Sequence, residues 1–200
     1  MKTIQERIEA LRQRIVIAAR NAGRNERDIE LLAVSKTRDL QAINQAIAAK
    51  LCAFGENYVQ EAVAKIEQVE HTPIAWHFIG ALQTNKTRIV AERFDWVHSV
   101  DRVKIAQRLS SQRDPALDRL NICLQVNIDS QSSKAGFGPD AVGDAVKRVL
   151  DLPQIRLRGL MAIPAPRDSE TAQRSVFARV RALQQEINSG LDNRQKLDTL

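Results

Sequence analysis

From Glu30 onward the sequence alternates between short apolar runs and amphipathic stretches, and no other feature restricts the possible folds as much. The apolar runs occupy residues 31–34, 52–54, 76–79, 96–100, 122–126 and 157–163. Each is continuously apolar, as a strand buried on both faces should be. After each comes a polar turn and a stretch with helical spacing, at 40–49, 59–69, 84–93, 103–110, 141–150 and 171–187. Parallel strands need crossover connections, and crossover helices cover the sheet, so this order predicts a parallel α/β sheet. No Gly-x-Gly-x-x-Gly turn follows the first run, which counts against a dinucleotide-binding sheet. The leading architecture is therefore a (β/α)8 TIM-type barrel.

Such a barrel has eight strands in about 250 residues, with about 200 at the low end. The runs supply six strands, and Lys196-Leu197-Asp198-Thr199-Leu200 reads as the start of a seventh. One barrel domain over residues 1–200, cut after strand seven, is the expectation. The longest loops, 129–139 and 164–169, lie at C-terminal strand ends, where a barrel carries its functional loops. Ahead of the alternation, Thr3 and Glu6 form a capping-box pattern. Ile4, Ile8, Leu11 and Ile15 give a helical stripe, and Gly23 stops the helix.

Composition excludes several classes. With 44% hydrophobic and 27% charged residues among 200, the chain reads as an ordinary globular protein. Residues 15–19 are too few for an export signal or a membrane span and are closed by Arg14 and Arg20, so the expected location is the cytoplasm. Cys52 and Cys123 both sit in apolar runs and read as buried thiols in a reducing compartment. The net charge of +6 is dispersed among acids, with no basic block. A nucleic-acid partner is not expected, whereas a small anion is compatible. The only histidines are His71, His77 and His98, and no His/Cys metal spacing occurs, so no metal is expected.

Chemistry-bearing residues cluster at strand ends. Lys36 closes the run Leu31-Leu32-Ala33-Val34-Ser35-Lys36-Thr37. Burial of its stem would favour the neutral amine, a nucleophile toward aldehydes. By position alone a solvated strand-end lysine is the plainer reading. Asn57, in Phe54-Gly55-Glu56-Asn57, reads as a helix cap before a ligand contact. His77 lies in Trp76-His77-Phe78-Ile79-Gly80-Ala81-Leu82-Gln83-Thr84-Asn85-Lys86, where a core histidine and a ligand-facing one are equally compatible. Ser99, Asn127 and Met161 also fall near strand ends. Met161 is core filler by default, and Lys134, in Ser133-Lys134-Ala135-Gly136, a mobile surface lysine. No Gly-x-Ser-x-Gly elbow is present.

Taken together, Val34-Ser35-Lys36-Thr37, Phe54-Gly55-Glu56-Asn57, the stretch 76–86 with Ile89-Val90, Ser133-Lys134-Ala135-Gly136 and Gly159-Leu160-Met161 resemble the pyridoxal phosphate homeostasis family of YggS/PROSC type. The motifs occur in family order over essentially the whole chain, and the match to enterobacterial members is close. The resemblance implies a fold like the N-terminal barrel of alanine racemase, holding pyridoxal 5′-phosphate as a Schiff base on Lys36. Asn57, His77, Ser99 and Met161 are then cofactor contacts, and Lys134 a secondary attachment point.

The resemblance further implies a carrier or regulator of vitamin B6 supply, monomeric, serving pyridoxal-dependent apo-enzymes, with no reaction of its own. A low-efficiency amino-acid racemase is the alternative. Racemisation needs acid/base groups on both cofactor faces. In alanine racemase the second is a tyrosine from a further domain of the partner subunit, and the single tyrosine here, Tyr58, follows the second strand. Family members also continue into a Ser/Met/Gly phosphate-binding turn and an Arg-Ile-Gly segment. The 200-residue chain is therefore expected to hold cofactor weakly and to expose apolar sheet edges.

Overall fold

The computed structural model describes residues 2–69, 73–131 and 134–200, so His71 and Ser133 of the motifs above lie outside the described residues. The chain divides into two compact units, Met1–His77 and Phe78–Leu200.

The first unit opens with α1 (Ile4–Asn21). Its capping box is complete: the Glu6 amide donates to Thr3 Oγ1 at 3.2 Å and the Thr3 amide to Glu6 Oε2 at 2.8 Å. These bonds satisfy donors that a helix start otherwise leaves open. Past the helix, Gly23 takes φ of 64°, a left-handed conformation in which a Cβ is strained. Ile8 and Ala19 are buried but Leu11 is exposed, so the covered stripe is narrower than the sequence spacing suggests. Arg12 joins α1 to α2 (Leu40–Ala48) through Nη1 and Nη2, which donate to the carbonyls of Ala49 and Lys50 at 2.9 and 2.8 Å. The Ala49 carbonyl is the C-cap of α2 and the Lys50 carbonyl follows it, a helix end that a cation suits. Then follow β2 (Ala53–Glu56), α3 (Val59–Gln68) and β3 (Ala75–Phe78), whose last residue is the first of the second unit. The first strand, β1 (Ala33–Val34), is shorter than its apolar run and pairs with β2 in parallel, Ala33 opposite Phe54 and Val34 opposite Gly55.

In the second unit a short 3-10 turn (Thr84–Lys86) leads into α4 (Thr87–Arg93), where the sequence pattern predicts one helix. Thr87 Oγ1 donates to the Thr84 carbonyl at 2.9 Å, competing with α-helical pairing at the join. The remaining elements are β4 (Trp96–Val100), α5 (Val103–Gln112), β5 (Leu120–Gln125), α6 (Pro139–Leu150), β6 (Ile155–Met161) and α7 (Glu170–Ser189). Strands β4, β5 and β6 are parallel neighbours, with Trp96 opposite Asn121 and Gln125 opposite Met161. The core holds Val97, Ile105, Leu109, Leu120, Ile122, Leu124, Val142 and Ile155, all essentially without solvent exposure. Each such aliphatic side chain contributes about 1.5–3 kcal/mol on burial.

The sheet has six strands among the described residues, and the segment expected to begin a seventh, 196–200, touches β6 through one isolated bridge. Thr199 bridges Gly159 in parallel, its amide donates to the Arg158 carbonyl at 3.0 Å, and its carbonyl accepts from Leu160 at 3.2 Å. A Cβ on Gly159 would stand 1.7 Å from the Thr199 oxygen, so only glycine permits this approach. Arg158 grips Asp198 with two parallel bonds of 2.9 Å and lies 4.8 Å over the Trp96 ring.

Cys123 is buried as expected, its thiol pushed up to about 12 by that burial. Cys52 is exposed, a correction: it stands just before β2 begins at Ala53, outside the covered part of its apolar run. No helix among the described residues is long and apolar enough to cross a membrane, and no His/Cys/Asp/Glu group among them could hold a metal ion.

Candidate functional site

Parallel strands carry their loops' chemistry at their C-terminal ends, and the sequence-derived site residues all fall there. In the first unit Lys36 lies two residues past Val34 and Asn57 two past Gly55. Val34 and Gly55 are register partners, so Lys36 and Asn57 each follow a paired position by two residues. His77 is in β3 and 3% exposed. In the second unit Ser99 is buried in β4, where its hydroxyl donates to the Gly80 carbonyl at 2.5 Å, and half-buried Met161 ends β6.

Lys36 is exposed, so burial is not what prepares its amine; the expectation that the stem packs against apolar surface is corrected. What the structure supplies is a braced backbone. Ser35 is buried; its amide donates to the Gly55 carbonyl at 2.9 Å and its hydroxyl to Glu56 Oε1 at 2.7 Å. Thr37 takes φ of 62°, the left-handed region that a β-branched residue avoids. Such a conformation persists only when surroundings hold it. Here the Thr37 amide donates to Glu61 Oε1 at 2.5 Å.

Beneath this turn lies a buried ammonium. Lys65 Nζ is 2.7 Å from each of three acceptors: the Ser35 carbonyl, Glu56 Oε1 and Glu61 Oε1. Its hydrogen bond holds the Glu61 carboxyl below its usual value, and the Thr37 amide adds to that. Glu56 has no exposure at all, and its Oε2 has no hydrogen-bond partner. Sequence reasoning missed this cluster. Glu61 and Lys65 look like a solvated i, i+4 helix pair. The one available signal was an acid, Glu56, ending an otherwise apolar strand.

Asn57 does not cap α3. The N-cap is Tyr58, with no side-chain cap bond, and Asn57 Oδ1 is buried without a hydrogen-bond partner. A buried acceptor left unmade costs about 1–3 kcal/mol, which a ligand donor would recover. An exposed amine on a braced turn, with an unbonded amide oxygen past the neighbouring strand, suits a small carbonyl compound that also carries a hydrogen-bond donor.

Asn127 organises the loop after β5 rather than facing a ligand. Its Nδ2 donates to the carbonyls of Gln131 and Lys134, and its Oδ1 accepts from the Gln131 amide. Lys134 is corrected from a mobile surface lysine to a tethered one, since Nζ donates to the Ile163 carbonyl at 3.0 Å. Asp129 ties the same two loops, accepting from the Ala165 amide at 3.0 Å and from Arg167 Nη2 at 2.5 Å. The Ala165 amide, aided by Arg167, holds its carboxyl below the usual value.

The alanine racemase N-terminal domain family matches residues 7–196. The chain is 52% identical to the pyridoxal phosphate homeostasis protein of Pseudomonas aeruginosa, across 96% of this chain and 84% of that protein. It is 46% identical to the one of Escherichia coli K12, across 92% and 79% respectively. PipY of Synechococcus elongatus, in a structure with PLP bound, matches with a TM-score of 0.79 and 32% identity over 94% of this chain and 82% of that one. The α/β barrel expected from strand alternation is thus the alanine racemase N-terminal fold. The chain belongs to the pyridoxal phosphate homeostasis protein family.

Proposed function

We propose that this chain binds pyridoxal 5′-phosphate covalently on Lys36 and serves as a carrier and regulator of the cofactor, without a reaction of its own. The observation that carries the reading is Lys36 itself: an exposed primary amine on a braced turn past β1, with the unbonded Oδ1 of Asn57 past the neighbouring β2. When bound, the cofactor brings an aldehyde, whose carbon bonds to a neutral primary amine with loss of water. The chain's part is to hold the amine in place and offer polar contacts. We assign those contacts to Asn57 as acceptor, to His77 and Ser99 at their strand ends, and to Met161 as an apolar one.

The carrier reading is supported by where the chain's tyrosine lies, since a tyrosine supplies the second acid/base group in alanine racemase. Racemisation needs one on each face of the cofactor. The single tyrosine, Tyr58, is 59% exposed at the start of α3. Exposure of the anchoring amine also suits release, and the recipients we assign are pyridoxal-dependent apo-enzymes in the cytoplasm. The protein acts as a monomer in this scheme.

The test loads the chain with pyridoxal 5′-phosphate, removes free cofactor, and mixes it with a pyridoxal-dependent apo-enzyme whose activity then returns. In parallel, amino acids are incubated with the loaded chain in heavy water. Restored activity without exchange at the α-carbon is the expected pair of results. Exchange at a useful turnover rate would make it a racemase instead.

A further inference from the structure

We infer that Lys65 is a positioning residue for the cofactor lysine: its buried ammonium ties down the backbone on both sides of Lys36. This rests on the reading of Lys36 as the covalent anchor. Lys65 itself is 6% exposed and has three acceptors within 2.7 Å, a full complement for an ammonium. One of them is the carbonyl of Ser35, immediately before Lys36. A second, Glu61 Oε1, also accepts the amide of Thr37, immediately after it. The third, Glu56 Oε1, takes the Ser35 hydroxyl too. Lys36 is therefore the single residue between two anchors that meet at one nitrogen.

Stability alone does not account for the arrangement. A buried ion pair is a weak stabiliser, because its desolvation offsets most of the attraction. Here two carboxylates share one ammonium, and Glu56 Oε2 is left with no hydrogen-bond partner. The cluster also holds Thr37 at φ of 62°, a conformation that a threonine does not adopt unaided. Strain of this kind at a turn that carries a reactive amine fits pre-organisation. With Lys65 removed, Ser35 loses one brace, Glu61 loses its counter-ion, and the Lys36 amine samples a wider volume before it meets the aldehyde.

The experiment compares the unmutated chain with Lys65→Met and Glu61→Ala. Each is mixed with pyridoxal 5′-phosphate, quenched with borohydride at set times, and mapped by mass spectrometry for adduct on the Lys36 peptide. Affinity for pyridoxine 5′-phosphate, which lacks the aldehyde, is measured alongside. The expected result is adduct formation slowed by about tenfold in Lys65→Met and by about threefold in Glu61→Ala, with analogue affinity unchanged. Circular dichroism establishes that each variant is folded; if Lys65→Met is not, Glu61→Ala, whose side chain lies at the surface end of the cluster, decides. Adduct on Lys36 at the unmutated rate in a folded variant would overturn the inference. Equal losses of adduct rate and analogue affinity would overturn it too, since they mark a general structural role. If the unmutated chain itself places no adduct on Lys36, the anchor reading fails first and this inference with it.

Discussion

Asn57 is the side chain at which the proposed cofactor contact can be tested apart from the fold. Its Oδ1 is buried and makes no hydrogen bond within the protein, so Asn57→Ala removes nothing that the fold uses through that atom. The expected outcome is cofactor affinity weakened by about tenfold, by fluorescence titration, with the melting temperature nearly unchanged. His98 gives a pH prediction. Burial lowers its imidazole from 6.5 to about 4, and it stacks on Trp96 with ring centroids 5.5 Å apart. A histidine with a lowered folded value binds more protons when unfolded, so its contribution is present above pH 6.5 and is lost as pH falls toward 4. The shift amounts to roughly 3 kcal/mol. Urea unfolding at pH 7, 5.5 and 4 should show that loss, and His98→Phe should flatten it. Asp129 and Asp198, both held below 3.8, lose their contributions only at still lower pH. In Asp198 burial acts to raise the value, and the hydrogen bonds from Arg158 and Thr199 together with the charges of Arg158 and Arg156 outweigh it.

At this scale the sequence was least informative. Lys36 has the same local surroundings as many solvated lysines, and only the ordered set of motifs singles it out. Its exposure could not be read from an apolar run, because β1 ends at Val34 and the chain then turns at Thr37. The partners that brace the turn lie nine and 30 residues apart along the chain, and pairings of that reach become visible only once α3 has folded against β2.

Elements were far more legible, because periodicity and caps are local. Both bonds of the Thr3–Glu6 box form, and Thr3→Ala should cost about 1 kcal/mol in thermal unfolding. Boundaries shifted where side chains competed with the backbone, as at Thr87, or where only part of an apolar run met a neighbour, as in β1. The segment 196–200 is held by close contact at Gly159 and the Arg158–Asp198 grip. Gly159→Ala would drive a Cβ into the Thr199 carbonyl. The expected outcome is a loss of about 1–3 kcal/mol together with faster proteolysis within 196–200. A variant with unchanged melting and protection would show that this pairing contributes little.

For the whole molecule, continuous apolar strands alternating with helices were enough to give the α/β class, since parallel sheets leave few other arrangements. The family followed from motifs rather than from physics, and the proposed carrier role from the resemblance that those motifs carry. The central claim is that Lys36 is the covalent anchor of the cofactor. Its most direct measurement is borohydride reduction of the unmutated chain with stoichiometric pyridoxal 5′-phosphate, followed by peptide mapping. The account predicts that the first-formed adduct lies on the Lys36 peptide. An adduct confined to another lysine, such as Lys134, or none at all, would contradict it.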